Sequence, residues 1–277
     1  MGGNTISERW RRFKRSVALW LLDSEPGVAK PMQWTPETVT DFWTAFSRTR
    51  LTELSFARGA AKPLLSAIRH HLEPGARCLD FGAGSGHLID ALLGAGFQAG
   101  AFEPAAGRRE TIQAQFDGRP GFLGVVGLRH DEQYQVVFAL EVIEHILEPQ
   151  FDAMIGAMVR FVAADGLLVL TTPHNEDLEL GGCICPNCGT LFHRWQHVRS
   201  FTPTSLEEAL RRHGIEPVVT HLLDFNPAHY ADLVRLDEGA PPDTIPQYLR
   251  ALRADQPIRI GAETSILFLG RRSQSRR

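Results

Sequence analysis

Leu79-Asp80-Phe81-Gly82-Ala83-Gly84-Ser85-Gly86 is the stretch on which the reading of this chain turns. The run Arg77 to Phe81 reads as a short strand, and a helix is predicted from about Ser85. Between them Asp80-x-Gly82-x-Gly84-x-Gly86 calls for a sharp turn against which a ligand can lie, because no Cβ stands in the way. Seventeen positions past Gly86, Glu103 ends a second apolar run that starts at Ala99. An acidic side chain there is placed to accept hydrogen bonds from both hydroxyls of a ribose. Together these residues predict a nucleoside-cofactor site.

A dinucleotide fingerprint would read G-x-G-x-x-G, but here the third glycine comes one residue early and His87 stands in its place. Asp80 adds a carboxylate, which suits a cationic amine and sulfonium and would repel a pyrophosphate. From about residue 55 to residue 271 the chain resembles the class I S-adenosylmethionine methyltransferases, with these residues as their first motif. The resemblance implies S-adenosylmethionine with its methionine end over Gly82, Ala83, Gly84 and Gly86. Asp80 would then lie near its amine, Glu103 on the ribose, Glu141 beside it, and the adenine near the loop after strand 121–126.

The rest of the chain is consistent with a soluble globular protein. Its 277 residues, 43% hydrophobic and 22% charged, suffice for one domain with embellishments. A formal charge of −3 argues against a surface built for nucleic acid. Arg9 to Arg15 and Arg271 to Arg277 read as solvated basic ends. Val17 to Leu22 is too short to span a membrane, and Asp23-Ser24-Glu25-Pro26 follows it where a signal peptide would have small residues. The four cysteines do not form a disulfide framework, so a reducing cytoplasm is expected.

Residues 1–50 read as an N-terminal helical cap, with helices from Ser7 to Asp23 and from Pro36 to Arg48. Residues 51–277 read as the catalytic domain. A helix from Leu51 to Leu72 leads into strands at 77–81, 97–103, 121–126, 134–140, 166–171, 215–223 and 264–270. Helices fall at 85–95, 107–116, 149–163 and 204–213. This alternation predicts an α/β fold, a doubly wound, mainly parallel, seven-stranded sheet of Rossmann-like methyltransferase type. Two insertions, the Cys/His-rich 174–203 and the proline-rich 225–262, follow strand ends on the ligand side.

After strand 134–140 comes Glu141-Val142-Ile143-Glu144-His145. If a helix starts there, Glu141, Glu144 and His145 share one face beside the cofactor. E-x-x-E-H is similar to the segment that binds a divalent metal in ubiquinone-biosynthesis O-methyltransferases and small-RNA 3′-terminal 2′-O-methyltransferases. The resemblance implies His197 as a further ligand, ahead of a helix capped by Thr204-x-x-Glu207. Mg²⁺ or Mn²⁺ on Glu141, Glu144, His145 and His197 would lower the pKa of an acceptor hydroxyl. The competing reading has the two glutamates favouring a helix N-terminus and His145 merely packing.

Cys183-x-Cys185-x-x-Cys188-x4-His193-x3-His197 has the look of a zinc knuckle, with Gly189 permitting the turn. If His197 serves the active site, Cys183, Cys185, Cys188 and His193 supply four ligands for a structural Zn²⁺. If His197 joins the knuckle, Cys183 is spare. The first division is preferred, with the zinc fixing His197, Arg194 and Trp195 over the cleft. His174 is a reserve base, and His70, His71 and His130 have no visible partner.

These residues predict a cytoplasmic S-adenosylmethionine-dependent O-methyltransferase for a small hydroxylated metabolite such as a sugar, a quinol or a natural product. Catalysis would rest on Glu144, His145 and His197, with or without a divalent metal. RNA 3′-end 2′-O-methylation, a non-catalytic zinc-loop module and, more distantly, a dehydrogenase are the competing readings. The sequence is silent on oligomeric state.

Overall fold

The structure is a computed structural model, and it describes residues 29–273. The helix expected from Ser7 to Asp23 lies outside the described residues. Strand β1 is Lys30–Pro31, followed by helices α1 (Pro36–Ser47) and α2 (Phe56–Ile68). The alternating core then runs β2 (Arg77–Phe81), α3 (His87–Gly94), β3 (Gln98–Phe102), α4 (Ala106–Phe116) and β4 (Phe122–Val126). It continues with β5 (Tyr134–Leu140), α5 (Phe151–Phe161) and β6 (Val162–Pro173). A hairpin of β7 (Gly182–Ile184) and β8 (Thr190–His193) precedes α6 (Pro203–Arg211) and β9 (Ile215–Leu223). Helices α7 (Ala231–Asp237) and α8 (Gln247–Arg253) lead to β10 (Ser265–Arg272).

Seven strands form one sheet in the order β4-β3-β2-β5-β6-β10-β9, in which β10 runs antiparallel to both its neighbours. The central strands are buried on both faces, so Val136–Leu140 reads as a continuous apolar run rather than an alternation, and Cys78–Phe81 is buried throughout with Asp80 its one charged residue. One core packs the sheet against α2, α3 and α4 through Leu64, Ile68, Leu88, Ile89 and Phe116. The other packs it against α5 and α6 through Ile155, Met158, Phe161, Leu206 and Leu210. Strands β2, β3, β5 and β6 end at Phe81, Phe102, Leu140 and Pro173 along one edge, where such sheets bind ligands.

The predicted doubly wound, seven-stranded sheet is therefore present, with local differences. The helix expected over Leu51 to Leu72 is split: a 3-10 turn, Arg50–Leu54, comes first, and α2 begins after Ser55. Helix α6 is capped by a reciprocal Thr202–Ser205 pair rather than by Thr204 and Glu207. Glu207 instead accepts from Thr220 Oγ1 at 2.6 Å. The 174–203 insertion carries its own small sheet, ordered β1-β8-β7, in which Lys30 and Pro31 run parallel to Thr190 and Leu191.

Candidate active site

The glycine turn closes β2 as its spacing requires. Gly82, Gly84 and Gly86 all have positive φ, at 91°, 55° and 75°. A Cβ on Gly82 would come within 2.6 Å of Val142 Cγ2, whereas one on Gly84 would meet little. Gly82, Ala83 and Gly84 line a cleft of about 680 Å³ together with Asp80, Glu103 and Glu141. Gly86 does not line it. Its missing Cβ makes room for Phe116, 2.5 Å away, so it serves the packing of α3 on α4 rather than the ligand. The loop after β4 is likewise absent from the cleft wall among the described residues, and Pro104, Ala105 and Arg108 close that side.

Glu103 is buried, and its two oxygens accept the backbone N–H groups of Gly84 and Ala105, each at 2.9 Å. These bonds hold the turn against β3 and leave further lone pairs for a ribose. Burial raises the Glu103 pKa against those bonds. Asp80 is buried more completely, and burial, reinforced by repulsion from Glu103, lifts its pKa to about 8. A carboxylate so destabilised next to an open cleft favours a cationic ligand.

Glu141-Val142-Ile143-Glu144-His145 does not begin an α-helix. Glu141 takes a left-handed φ of 52°, and Ile143–His145 forms a single 3-10 turn. The shared helical face expected for Glu141, Glu144 and His145 therefore does not exist. Instead Glu144, His145 and His197 bring ligand-type atoms within 4.8 Å of one another, and Glu141 stands outside that group on the cleft wall. Glu144 is fully buried, with Oε2 accepting from Thr172 Oγ1 at 3.1 Å and Oε1 without a partner. Glu141 Oε1 and His145 Nδ1 are also buried and unpartnered. Burial pushes Glu141 up to about 8 and Glu144 well above the usual carboxylate range, each carboxylate repelled by neighbouring ones. Burial, with help from His197, holds His145 neutral at about 3. Two destabilised carboxylates around orphaned buried atoms are the donor set that a cation would satisfy.

His197 arrives from the loop after β8, which is stitched to the 3-10 turn. Val198 N donates to Glu144 O at 2.9 Å, and Arg199 Nη2 donates to Ile146 O at 2.7 Å. Glu176, which the sequence reading did not single out, joins here. Its Oε2 accepts from His197 Nδ1 at 2.5 Å, and its Oε1 lies 3.3 Å from His193 Nε2. Burial would raise Glu176, but the two imidazoles outweigh it and hold the group at about 2. Glu176, His193 and His197 form a second convergent group.

That arrangement corrects the zinc assignment. His193 is buried beside Glu176 and stacked on His197, with ring centroids 4.4 Å apart, instead of facing the cysteines. Its Nδ1 accepts two backbone N–H groups, from Trp195 at 3.3 Å and His197 at 3.2 Å, which places its proton on Nε2. Gly181 is tight against that Nε2, where any Cβ would overlap it. Cys183 and Cys188 are exposed, and no convergent ligand group among the described residues contains a cysteine. The knuckle turn does form: Gly189 N donates to Cys185 O at 2.9 Å, and Gly189 has a φ of 69°. Cys188 Sγ lies 3.1 Å from Thr190 Oγ1, and that hydroxyl, a backbone bond and the Cys185 thiol lower its pKa.

Helix α1 covers the opening. Trp43, Phe46, Trp195 and His145 line the cleft, with Trp43 edge-on to His145 at 4.9 Å. Trp43 Nε1 donates to Gln196 Oε1 at 2.9 Å, while Gln196 Nε2 donates to His145 O at 3.0 Å. Gln196, another residue the sequence did not flag, has a φ of 61° and is fully buried. Arg108 stacks its guanidinium 5.1 Å from the Trp43 ring. His174 lines a neighbouring hollow with residues 261–264 rather than this cleft, its Nδ1 3.1 Å from Glu263 O. His70 and His71 are partnered after all, both on Asp255 Oδ1, at 3.0 and 2.7 Å.

Residues 54–221, more than half of the chain, match the family model of a methyltransferase domain. The chain belongs to that family. The methyltransferase matches no curated protein. Its fold is shared by solved structures of low identity. One is a chain of the complex between the Haloferax volcanii Trm112 methyltransferase activator and the putative methyltransferase, with a TM-score of 0.57 and 16% identity over 86% of this chain and 99% of that one. Another is the Burkholderia thailandensis 1,6-didemethyltoxoflavin-N1-methyltransferase, bound to 1,6-didemethyltoxoflavin and S-adenosylhomocysteine. It has a TM-score of 0.54 and 16% identity, covering 91% and 98% of the two chains. A third, an S-adenosylmethionine-dependent methyltransferase from Clostridium acetobutylicum, has a TM-score of 0.55 and 9% identity, covering 86% and 100%. S-adenosylmethionine is the cofactor that fits this methyltransferase. Gly84, where a Cβ would meet almost nothing, and the buried carboxylate of Asp80 both line the cleft. Among the described residues, no helix is long and apolar enough to cross a membrane.

Proposed function

We propose that this methyltransferase moves a methyl group from S-adenosylmethionine to a hydroxyl oxygen of a small metabolite. The acceptor would sit in the aromatic half of the cleft, between Trp43, Phe46 and Trp195. The observation that carries this reading is the convergence of Glu144, His145 and His197, the two histidines on the wall of the cleft that the glycine turn opens and Glu144 buried behind them, with Glu144 Oε1 and His145 Nδ1 left without a hydrogen-bond partner. S-adenosylmethionine supplies the methyl group as an electrophile. Asp80 and Glu103 orient it, and Gly82 to Gly84 let it lie against the backbone. His145 would hold the acceptor hydroxyl in line and His197 would receive its proton, so alignment and a nearby base would account for the rate. A divalent cation held by Glu144, His145 and His197 would take the place of that base, lowering the pKa of the hydroxyl so that its proton passes to solvent. Helix α1 acts as the cap that keeps water from the site.

The test is a methylation screen over hydroxylated aromatics, sugars and other small alcohols, with and without chelator, followed by return of Mg²⁺ or Mn²⁺. Transfer to oxygen, lost with chelator and restored by either ion, is the expected result. His145→Ala is expected to lower turnover at least about a hundredfold while S-adenosylhomocysteine binding, read by calorimetry, is retained. Equal loss of both would remove His145 from the reaction.

A further inference from the structure

The methyltransferase reading uses His197 but leaves unexplained why a half-buried carboxylate, Glu176, meets both that ring and the His193 ring stacked on it. His193 gives the starting point. Its Nδ1 is committed as an acceptor to the N–H groups of Trp195 and His197, a local geometry that the left-handed Gln196 makes possible. A neutral imidazole has one proton, so that of His193 lies on Nε2, 3.3 Å from Glu176 Oε1 but without the alignment of a hydrogen bond. His193 thus presents the positive end of an N–H dipole beside Glu176. Its other oxygen, Oε2, meets His197 Nδ1 at 2.5 Å, and a carboxylate can only accept there. The proton of neutral His197 is thus required on Nδ1, which leaves Nε2 with its lone pair. Glu176 and His197 both line the cleft, and His197 also belongs to the group with Glu144 and His145.

We propose that Glu176, beside His193, is a positioning residue that fixes His197 as its Nδ1–H tautomer, so that the Nε2 lone pair is left for the cation or acceptor hydroxyl that Glu144 and His145 also approach. This rests on the functional reading above and deepens it. The chain His193–Glu176–His197 does for this site what a carboxylate behind a ligating or basic histidine does generally: it sets the tautomer, locks the ring and raises basicity. It also gives His193 a purpose that zinc ligation does not. The same nitrogen that would bind zinc carries the proton that lies beside Glu176.

The experiment is long-range ¹H–¹⁵N NMR of ¹⁵N-histidine-labelled full-length protein at a pH of about 8, above the ordinary histidine range. His197→Gln and His193→Gln spectra assign the two rings. Expected are His197 protonated on Nδ1 and bare on Nε2, with His193 of the opposite tautomer. In Glu176→Ala, His197 is expected to pass to the Nε2–H form. Mn²⁺ affinity, followed by the EPR signal of free ion, should fall at least about tenfold. S-adenosylhomocysteine affinity should remain that of the parent protein. His197 carrying its proton on Nε2 in the parent protein overturns the proposal, and so does a tautomer indifferent to Glu176→Ala. The parent spectrum alone decides should the variant fail to fold. Parent protein that binds neither S-adenosylhomocysteine nor Mn²⁺, yet shows the Nδ1–H tautomer, would count against the functional reading and leave this one standing.

Discussion

At the scale of single residues, burial sets the chemistry. Asp80 has a folded, ligand-free pKa of about 8, so at neutral pH it is mostly protonated. A cationic cofactor prefers the ionised form, so binding expels the proton. Affinity should therefore rise with pH up to about 8 and level off above it. Calorimetry at pH 7 in two buffers of different ionisation enthalpy should show proton release on binding, and Asp80→Asn should abolish it. The cysteines make a second case. Cys78 is buried and raised to about 12, whereas Cys188 is exposed and lowered by Thr190 and Cys185. Alkylation read by mass spectrometry should modify Cys188 first and Cys78 only after unfolding. Uniform protection of Cys183, Cys185 and Cys188 until a chelator is added would reveal bound zinc.

At the scale of elements, the glycine turn shows what sequence can and cannot specify. Strand β5 falls where its apolar run placed it, because a strand buried on both faces writes itself as continuous hydrophobicity, and β2 and β9 keep their expected bounds although β2 carries Asp80 and the edge strand β9 is mixed. Gly82, Gly84, Asp80 and Glu103 were legible for the same reason: backbone conformation and charge at a turn are local properties. The role of Gly86 was not, since Phe116 reaches it from another helix. Gly86→Ala combines a φ of 75° with a Cβ 2.5 Å from Phe116 Cε2. It should cost about 1–3 kcal/mol of stability, read from urea unfolding, and Phe116→Leu in the same chain should recover part of it. The Glu141–His145 segment misled because its spacing fits a helix face, yet β5 ends in a left-handed residue that no periodicity announces. Glu176, Gln196 and Asp255 were invisible because each acts across a contact distant in sequence. Asp255, for one, lies 185 residues from His70.

At the scale of the whole molecule, the site draws on several separate segments: the turn after β2, the end of β3, the turn after β5, the loops around the hairpin, and α1. Alternation of strands and helices sufficed to foresee the sheet and the edge on which these segments meet. Their mutual distances depended on packing that the sequence does not display. An assembly of this kind should be tightened by whatever fills it. S-adenosylhomocysteine at about a hundred times its dissociation constant should add about 2.7 kcal/mol to unfolding. Scanning calorimetry should record that as a higher Tm, with the gain lost in Glu103→Ala.

Gln196 has a further consequence. It grips the indole of Trp43 with one end of its amide and the carbonyl of His145 with the other. A metabolite that enters by lifting α1 must first break the Trp43 grip, which frees Gln196 to let the imidazole beneath it shift. On that route admission and reaction would be mutually exclusive postures of one side chain, and turnover would be an ordered cycle in which the door latches before chemistry begins.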